Sequence, residues 1–178
     1  MTRRLLLTAT AVLAIAFAGC SKPYTRPGGI RLGSRLPKDA DTSFNENGII
    51  RRVISAPQDS VFDTILINYT PISKKAFSVE LQGDASKVDV GELKKFVEEK
   101  YHVELKAMGM AAYYIGYFWK NKKYYISVIS FNDTSAVTIT DLRLKRKYEK
   151  EVVKLADKLT APQRKQEAED RARKFKDL

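Results

Sequence analysis

Residue types that carry chemistry are sparse in this chain: one cysteine, Cys20, one histidine, His102, and, within residues 48–159, two close pairs of aspartates, Asp59 with Asp63 and Asp84 with Asp89. A lone histidine cannot supply the three or four converging ligands of a metal site. At the junction of a helix and a strand it is better explained by the helix dipole, which favours such a side chain at a C-terminus. The aspartate pairs fall where acids help local structure, near a helix start and around a turn and a cap. Acid–base catalysis needs two carboxyls in environments that separate their pKa values, and nothing around these suggests that. No glycine-rich phosphate loop, G-x-S-x-G or H-E-x-x-H occurs. The expectation is a binding protein and not an enzyme, with no metal and no cofactor.

Cys20 is explained by what precedes it. Two arginines in MTRR lead into LLLTATAVLAIAFA, fourteen residues without a charge, and Gly19 lies directly before the cysteine. A basic start, an apolar stretch and small residues form the pattern of an export leader, and the apolar run is shorter than the roughly 20 residues a spanning helix needs. The stretch Phe17-Ala18-Gly19-Cys20 resembles the lipobox of bacterial lipoproteins, with Phe17 where that pattern prefers leucine. The resemblance implies that residues 1–19 are removed and that Cys20 carries the acyl chains, placing the protein on a membrane of the bacterial envelope. Ser21, which is not aspartate, would permit sorting to the outer membrane, facing the periplasm, in bacteria that retain lipoproteins by an aspartate at that position, with the inner membrane as the alternative. Two or more acyl chains make a durable anchor where one is marginal.

Charge is unevenly distributed. Residues 44–144 carry thirteen basic and twelve acidic side chains, whereas residues 145–178 carry twelve and seven and residues 20–43 carry five and two. Basic ends on a near-neutral body suit anionic neighbours, such as an acidic protein surface, anionic lipid or peptidoglycan. Nucleic acid is not expected beside an envelope membrane. With one cysteine, stability must come from packing and not from disulfides.

The most distinctive stretch is aromatic. AAYYIGYFW at residues 111–119 and YYISVISF at residues 124–131 flank the polar turn KNKK. In a strand, alternate side chains point to opposite faces, so Tyr113, Tyr117 and Trp119 share one face while Tyr114 and Phe118 share the other. Tyr124 and Tyr125 divide likewise. With Lys120, Lys122 and Lys123 framing them, these residues are the candidate partner or ligand surface, since tyrosine and tryptophan are enriched where interfaces form.

The elements that would position them read as β-α-β-α-β-β-β-β-α. A strand is expected over residues 49–54. A helix capped at Ser55 would follow, with Pro57 in its first turn and Val61, Phe62, Ile65 and Leu66 as its apolar stripe, ending before Tyr69-Thr70-Pro71. A strand over residues 76–81 precedes a second helix, whose start combines the cap Asp89, Glu92 three places on, and a staple of Val88 with Leu93. Val90, Leu93, Phe96 and Val97 form its expected buried face. Strands over residues 103–107, 111–119, 124–131 and 136–144 come next, the last three in a meander whose short turns require antiparallel neighbours. A closing helix is expected from Leu144 to about Leu159, broken or recapped at Thr160-Ala161-Pro162.

The predicted fold class is α+β: an antiparallel or mixed sheet with a three-stranded aromatic meander, helices packed on one face and a long C-terminal helix. The expected organisation is a leader at residues 1–19, a flexible tether at 20–47, the domain at 48–159 and a basic helical tail at 160–178. The function expected is that of a lipid-anchored subunit binding within an envelope complex. One alternative is a carrier or sensor of an apolar ligand held between sheet and helices; the other is a lipoprotein associated with peptidoglycan or anionic lipid.

Overall fold

The computed structural model describes residues 26–44, 49–111 and 114–176. Cys20 and Tyr113 lie outside the described residues. The fold is α+β. Eight strands form one antiparallel sheet: β1 Ser43–Phe44, β2 Ile50–Ser55, β3 Thr64–Tyr69, β4 Ala76–Asp84, β5 Lys106–Ala111, β6 Tyr114–Lys120, β7 Tyr124–Phe131 and β8 Thr134–Asp141, in the order β1-β2-β3-β4-β8-β7-β6-β5. Helix α1, Val90–Tyr101, connects β4 to β5, and helix α2, Leu142–Lys176, follows β8.

The aromatic meander is antiparallel throughout. Trp119 pairs with Ile126 and Ile126 with Ile139, and the β7–β8 turn is closed by Asn132 at φ 51°, a left-handed conformation that asparagine tolerates. The long strand expected over residues 111–119 divides, however, because Ala111 of β5 pairs with Tyr114 of the antiparallel β6.

One face of the sheet is the core. Ile65, Ile67, Val79, Leu81, Ile126, Val128, Val137 and Ile139 alternate inward and pack with Leu93, Val97 and Tyr101 of α1. The helix starts as the sequence indicates. The Asp89 carboxylate accepts the backbone N–H groups of Gly91 and Glu92, and Val88 and Leu93 are both buried. At its other end His102 sits at φ 51° as the cap residue, and Glu98 reaches past it to accept the N–H of Leu105 at 2.8 Å. The salt bridge from Lys94, helped by that N–H, holds the Glu98 carboxyl below its ordinary range despite the opposing effect of burial.

Further expectations are overturned. The helix from Ser55 does not form: residues 56–63 are a loop and the apolar run enters β3, which is buried on both faces. Thr64, Ile65 and Ile67 are β-branched and favour a strand, and a short apolar run fits a central strand as well as a helical stripe. Asp59 and Asp63 therefore lie on this loop and share no helix face.

Residues 26–44 are not an extended tether. Pro27–Gly29 makes a 3-10 turn, Pro27 and Leu32 are buried, and Gly33, Ser34 and Leu36 exchange backbone hydrogen bonds with Lys74 and Ala76. The folded unit thus begins before residue 48.

The last strand ends at Asp141, not Leu144, because the Asp141 carboxylate caps α2 by accepting the N–H groups of Arg143 at 2.9 Å and Leu144 at 3.3 Å. That helix does not stop at residues 160–162 but runs through Pro162 to Lys176, with the Thr160 hydroxyl donating to the Ala156 carbonyl at 3.0 Å.

Gly83 shows how tightly the 56–63 loop is held. A Cβ there would stand 2.8 Å from the Val61 carbonyl oxygen, a backbone atom that cannot rotate away. Gly83→Ala is expected to cost about 1–3 kcal/mol, the usual range for overpacking, measured as a shift of the denaturant midpoint.

Candidate functional site

The aromatic residues singled out in the sequence separate by strand parity. Tyr124 is only 3% exposed and belongs to the core. Tyr117 and Trp119 are partly buried against the same core, and Lys94 of α1 places its ammonium 5.6 Å from the Tyr117 ring centre. These three are structural and do not form a free partner surface, because α1 covers the side of the sheet they occupy.

Tyr114, Phe118 and Tyr125 lie on the opposite side. Phe118 and Tyr125 stack with ring centres 6.3 Å apart, and the hydroxyls of Tyr114 and Tyr125 converge on the Met108 sulfur at 3.5 and 3.7 Å. The Tyr114 ring folds along its strand over Gly116, so closely that a Cβ at residue 116 would stand 2.8 Å from the tyrosine hydroxyl. Met108 is 40% exposed, and Phe131, the cross-strand partner of Tyr114, is 54% exposed. The central part of that face is polar, with Ser78 and Thr140 joined by a hydroxyl hydrogen bond of 2.9 Å. Burial pushes the Tyr125 hydroxyl above its ordinary pKa, so that hydroxyl is neutral at physiological pH.

Lys120, Lys122 and Lys123 sit at the β6–β7 turn, beside this cluster. Lys120 and Lys122 are exposed, whereas Lys123 lies 4.9 Å from the Tyr124 ring centre. Asn121 shapes the turn by accepting the N–H groups of Lys123 and Tyr124, each at 2.7 Å.

Helix α2 is anchored by its first three turns. Tyr148 stacks on Phe77 with ring centres 5.0 Å apart, and Glu151, 6% exposed, accepts the N–H groups of Ile72 at 2.8 Å and Ser73 at 3.0 Å. Beyond these contacts Val153 is 59% and Leu159 76% exposed.

A second site is an apolar cavity of the kind the ligand-carrier alternative requires, but with walls that the sequence does not indicate. An apolar cavity of about 240 Å³ lies between the 56–62 loop, β3, β4 and α1, walled by Phe62, Ile65, Leu81, Val97, Tyr101 and Val137, with Val61, Phe96 and Lys100 among its lining residues. Phe96 was expected in the core; it is 46% exposed, and Val61 is 57% exposed. The visible signal was Phe96 itself, a large aromatic at the edge of the helical stripe. It could not be interpreted while Val61 was assigned to a helix of its own.

Among the described residues no group of histidine, cysteine, aspartate and glutamate side chains could hold a metal ion, and no helix is long and apolar enough to cross a membrane. No protein-family model matches the chain, and comparison with curated proteins and with solved structures finds no significant match to either.

Proposed function

We propose that the chain is a lipid-anchored, non-enzymatic docking subunit of the bacterial cell envelope, held to a membrane through acylated Cys20 and binding an acidic protein partner. The observation that carries this reading is the state of α2. It is held through Tyr148, which stacks on Phe77 of β4, and through Glu151, which accepts from the β3–β4 turn at Ile72 and Ser73, while Leu159 stands 76% exposed on a segment rich in lysine and arginine. A helix whose residues 145–176 carry twelve basic and six acidic side chains, with Val153 and Leu159 exposed on its surface, has the composition of a partner-binding element. The outer cluster of Met108, Tyr114, Phe118 and Tyr125 supplies a second contact of the amphipathic kind that interfaces favour.

The test is site-specific photocrosslinking in cells, with the crosslinker placed at Leu159 in one strain and Tyr114 in another. The expected result is one acidic envelope protein crosslinked from both positions, with Cys20→Ala moving the chain out of the membrane fraction and reducing the adduct severalfold. Adducts to lipid alone, or membrane attachment that survives Cys20→Ala, would overturn the reading. Raising salt should weaken partner binding, because exposed charges are screened over about 8 Å at physiological ionic strength.

A further inference from the structure

We infer that the cavity beside α1 binds the tail of a single-chain anionic amphiphile of the fatty-acid type, with the Lys100 ammonium receiving its head. The site is separate from the docking elements of α2 and the outer aromatic cluster, and the inference does not depend on them.

The walls select an apolar ligand. Val97, Val137, Ile65 and Leu81 are each at most 8% exposed and meet at the base of the cavity, while Val61 and Phe96 are half-exposed at its edge. Ser60, the polar residue of the loop wall, already accepts the N–H of Phe62 at 3.1 Å. Tyr101 contributes a neutral wall, since burial pushes its hydroxyl pKa up to about 12.

Charge selects the head group. Among the described residues, Lys100 is the one charged side chain lining the cavity, and no carboxylate lines it. Its ammonium is held 5.0 Å from the Phe96 ring centre and 5.9 Å from that of Tyr101, which positions the cation beside the apolar lining. A cationic or neutral amphiphile would leave that ammonium without a counter-charge.

Size sets the length. A dry cavity on the order of 150 Å³ holds one six-carbon ring. At about 240 Å³ this one has room for roughly ten carbon atoms. Two acyl chains, as in a phospholipid, do not fit.

The experiment uses the full chain in its membrane and a ten-carbon fatty acid with a terminal diazirine, followed by mapping of the adduct. Saturable labelling confined to residues 56–62 and 96–101 is expected. Competition by straight-chain carboxylates should strengthen about threefold to fourfold per methylene up to about ten carbons and then level off, from the burial energy of a CH₂ group. Decyltrimethylammonium should compete poorly. Lys100→Glu should weaken competition by decanoate about fivefold, as expected for one partly exposed ion pair. Val61→Trp, made at a half-exposed position so that the fold is kept, should abolish labelling without lowering the melting temperature. Labelling spread over other segments, competition that keeps rising beyond twelve carbons as membrane partitioning would, or equal competition by the cationic analogue would each overturn the assignment.

Discussion

Replacing Glu151 with alanine is expected to lower folding stability by about 2–4 kcal/mol and to release α2 from the sheet. The estimate rests on two backbone donors, the N–H groups of Ile72 and Ser73, which lie 2.8 and 3.0 Å from one carboxylate oxygen. Hydrogen bonds to a charged group are worth about 1.5–3 kcal/mol each, and removing the acceptor leaves both donors without a partner. The turn they belong to is otherwise rigid. Thr70 is fully buried, its hydroxyl shares a 2.7 Å hydrogen bond with that of Ser73, and the N–H of Lys75 donates to it at 2.9 Å. It therefore cannot relax to offer new partners.

The same contact has a pH signature. Burial alone would push the Glu151 carboxyl up, but the hydrogen bonds from Ser73 and Ile72, together with Lys147 at 3.8 Å, bring it below its ordinary value of 4.5. A carboxyl whose pKa is lower in the folded state stabilises fully above its unfolded pKa, and this stabilisation is lost as pH falls through the folded value. Stability of the native chain should thus fall as the medium is acidified below about pH 4.5, and part of that fall should vanish in Glu151→Ala. Glu151→Gln, which keeps one oxygen acceptor and loses the charge, should lie between the two. Denaturant unfolding at several pH values and amide exchange at Ile72 and Ser73 provide the measurements. Unchanged exchange at those two amides in Glu151→Ala would show that the helix is held some other way.

How much of this was legible in the sequence depended on whether the deciding signal was local. The β6–β7–β8 meander could be read because turns such as KNKK and NDT are too short for anything but antiparallel return, and among the described residues Tyr117, Trp119 and Tyr124 fall on one face and Tyr114, Phe118 and Tyr125 on the other, as alternation requires. The start of α1 was legible for the same reason, since Asp89, Glu92 and the Val88–Leu93 pair lie within six residues.

Where the signal was long-range, reading failed. Val61, Phe62, Ile65 and Leu66 satisfy a helical stripe and also a loop entering a strand, and only pairing with β2 and β4 decides between them. The choice between core and surface for the aromatic residues likewise depended on which side α1 would cover. The anchoring role of Glu151 was invisible because its partners stand 79 and 78 residues away. The cavity was hidden twice over: it needs the loop that was assigned to a helix, and it joins that loop to a face of α1 about forty residues further on.

The N-terminal segment yields the other large effect. Its prolines, glycines and lack of periodicity have the composition of a linker, and a linker could be altered without cost to the domain. In the structure Leu32 is 9% exposed within the core, and Gly33 donates to Ala76 at 2.8 Å, Ala76 to Ser34 at 2.9 Å and Leu36 to Lys74 at 2.8 Å. The segment also closes one wall of the cavity through Gly28, whose φ of +55° disfavours any side chain and whose Cβ would stand 2.8 Å from Leu81. Leu32→Ala is expected to cost about 2–3 kcal/mol, the lower part of the range for leucine truncation in a core. Exchanging residues 26–38 for a glycine–serine segment of equal length should cost about 5–6 kcal/mol, adding three backbone hydrogen bonds at about 1 kcal/mol each. Because native domains are stable by only about 5–15 kcal/mol, the exchange should leave much of the protein unfolded at 37 °C. Circular dichroism and chemical denaturation distinguish the two descriptions. A tether predicts superimposable unfolding curves for the native and exchanged chains, whereas a segment that completes the core predicts a lower midpoint for Leu32→Ala and a collapse for the exchange.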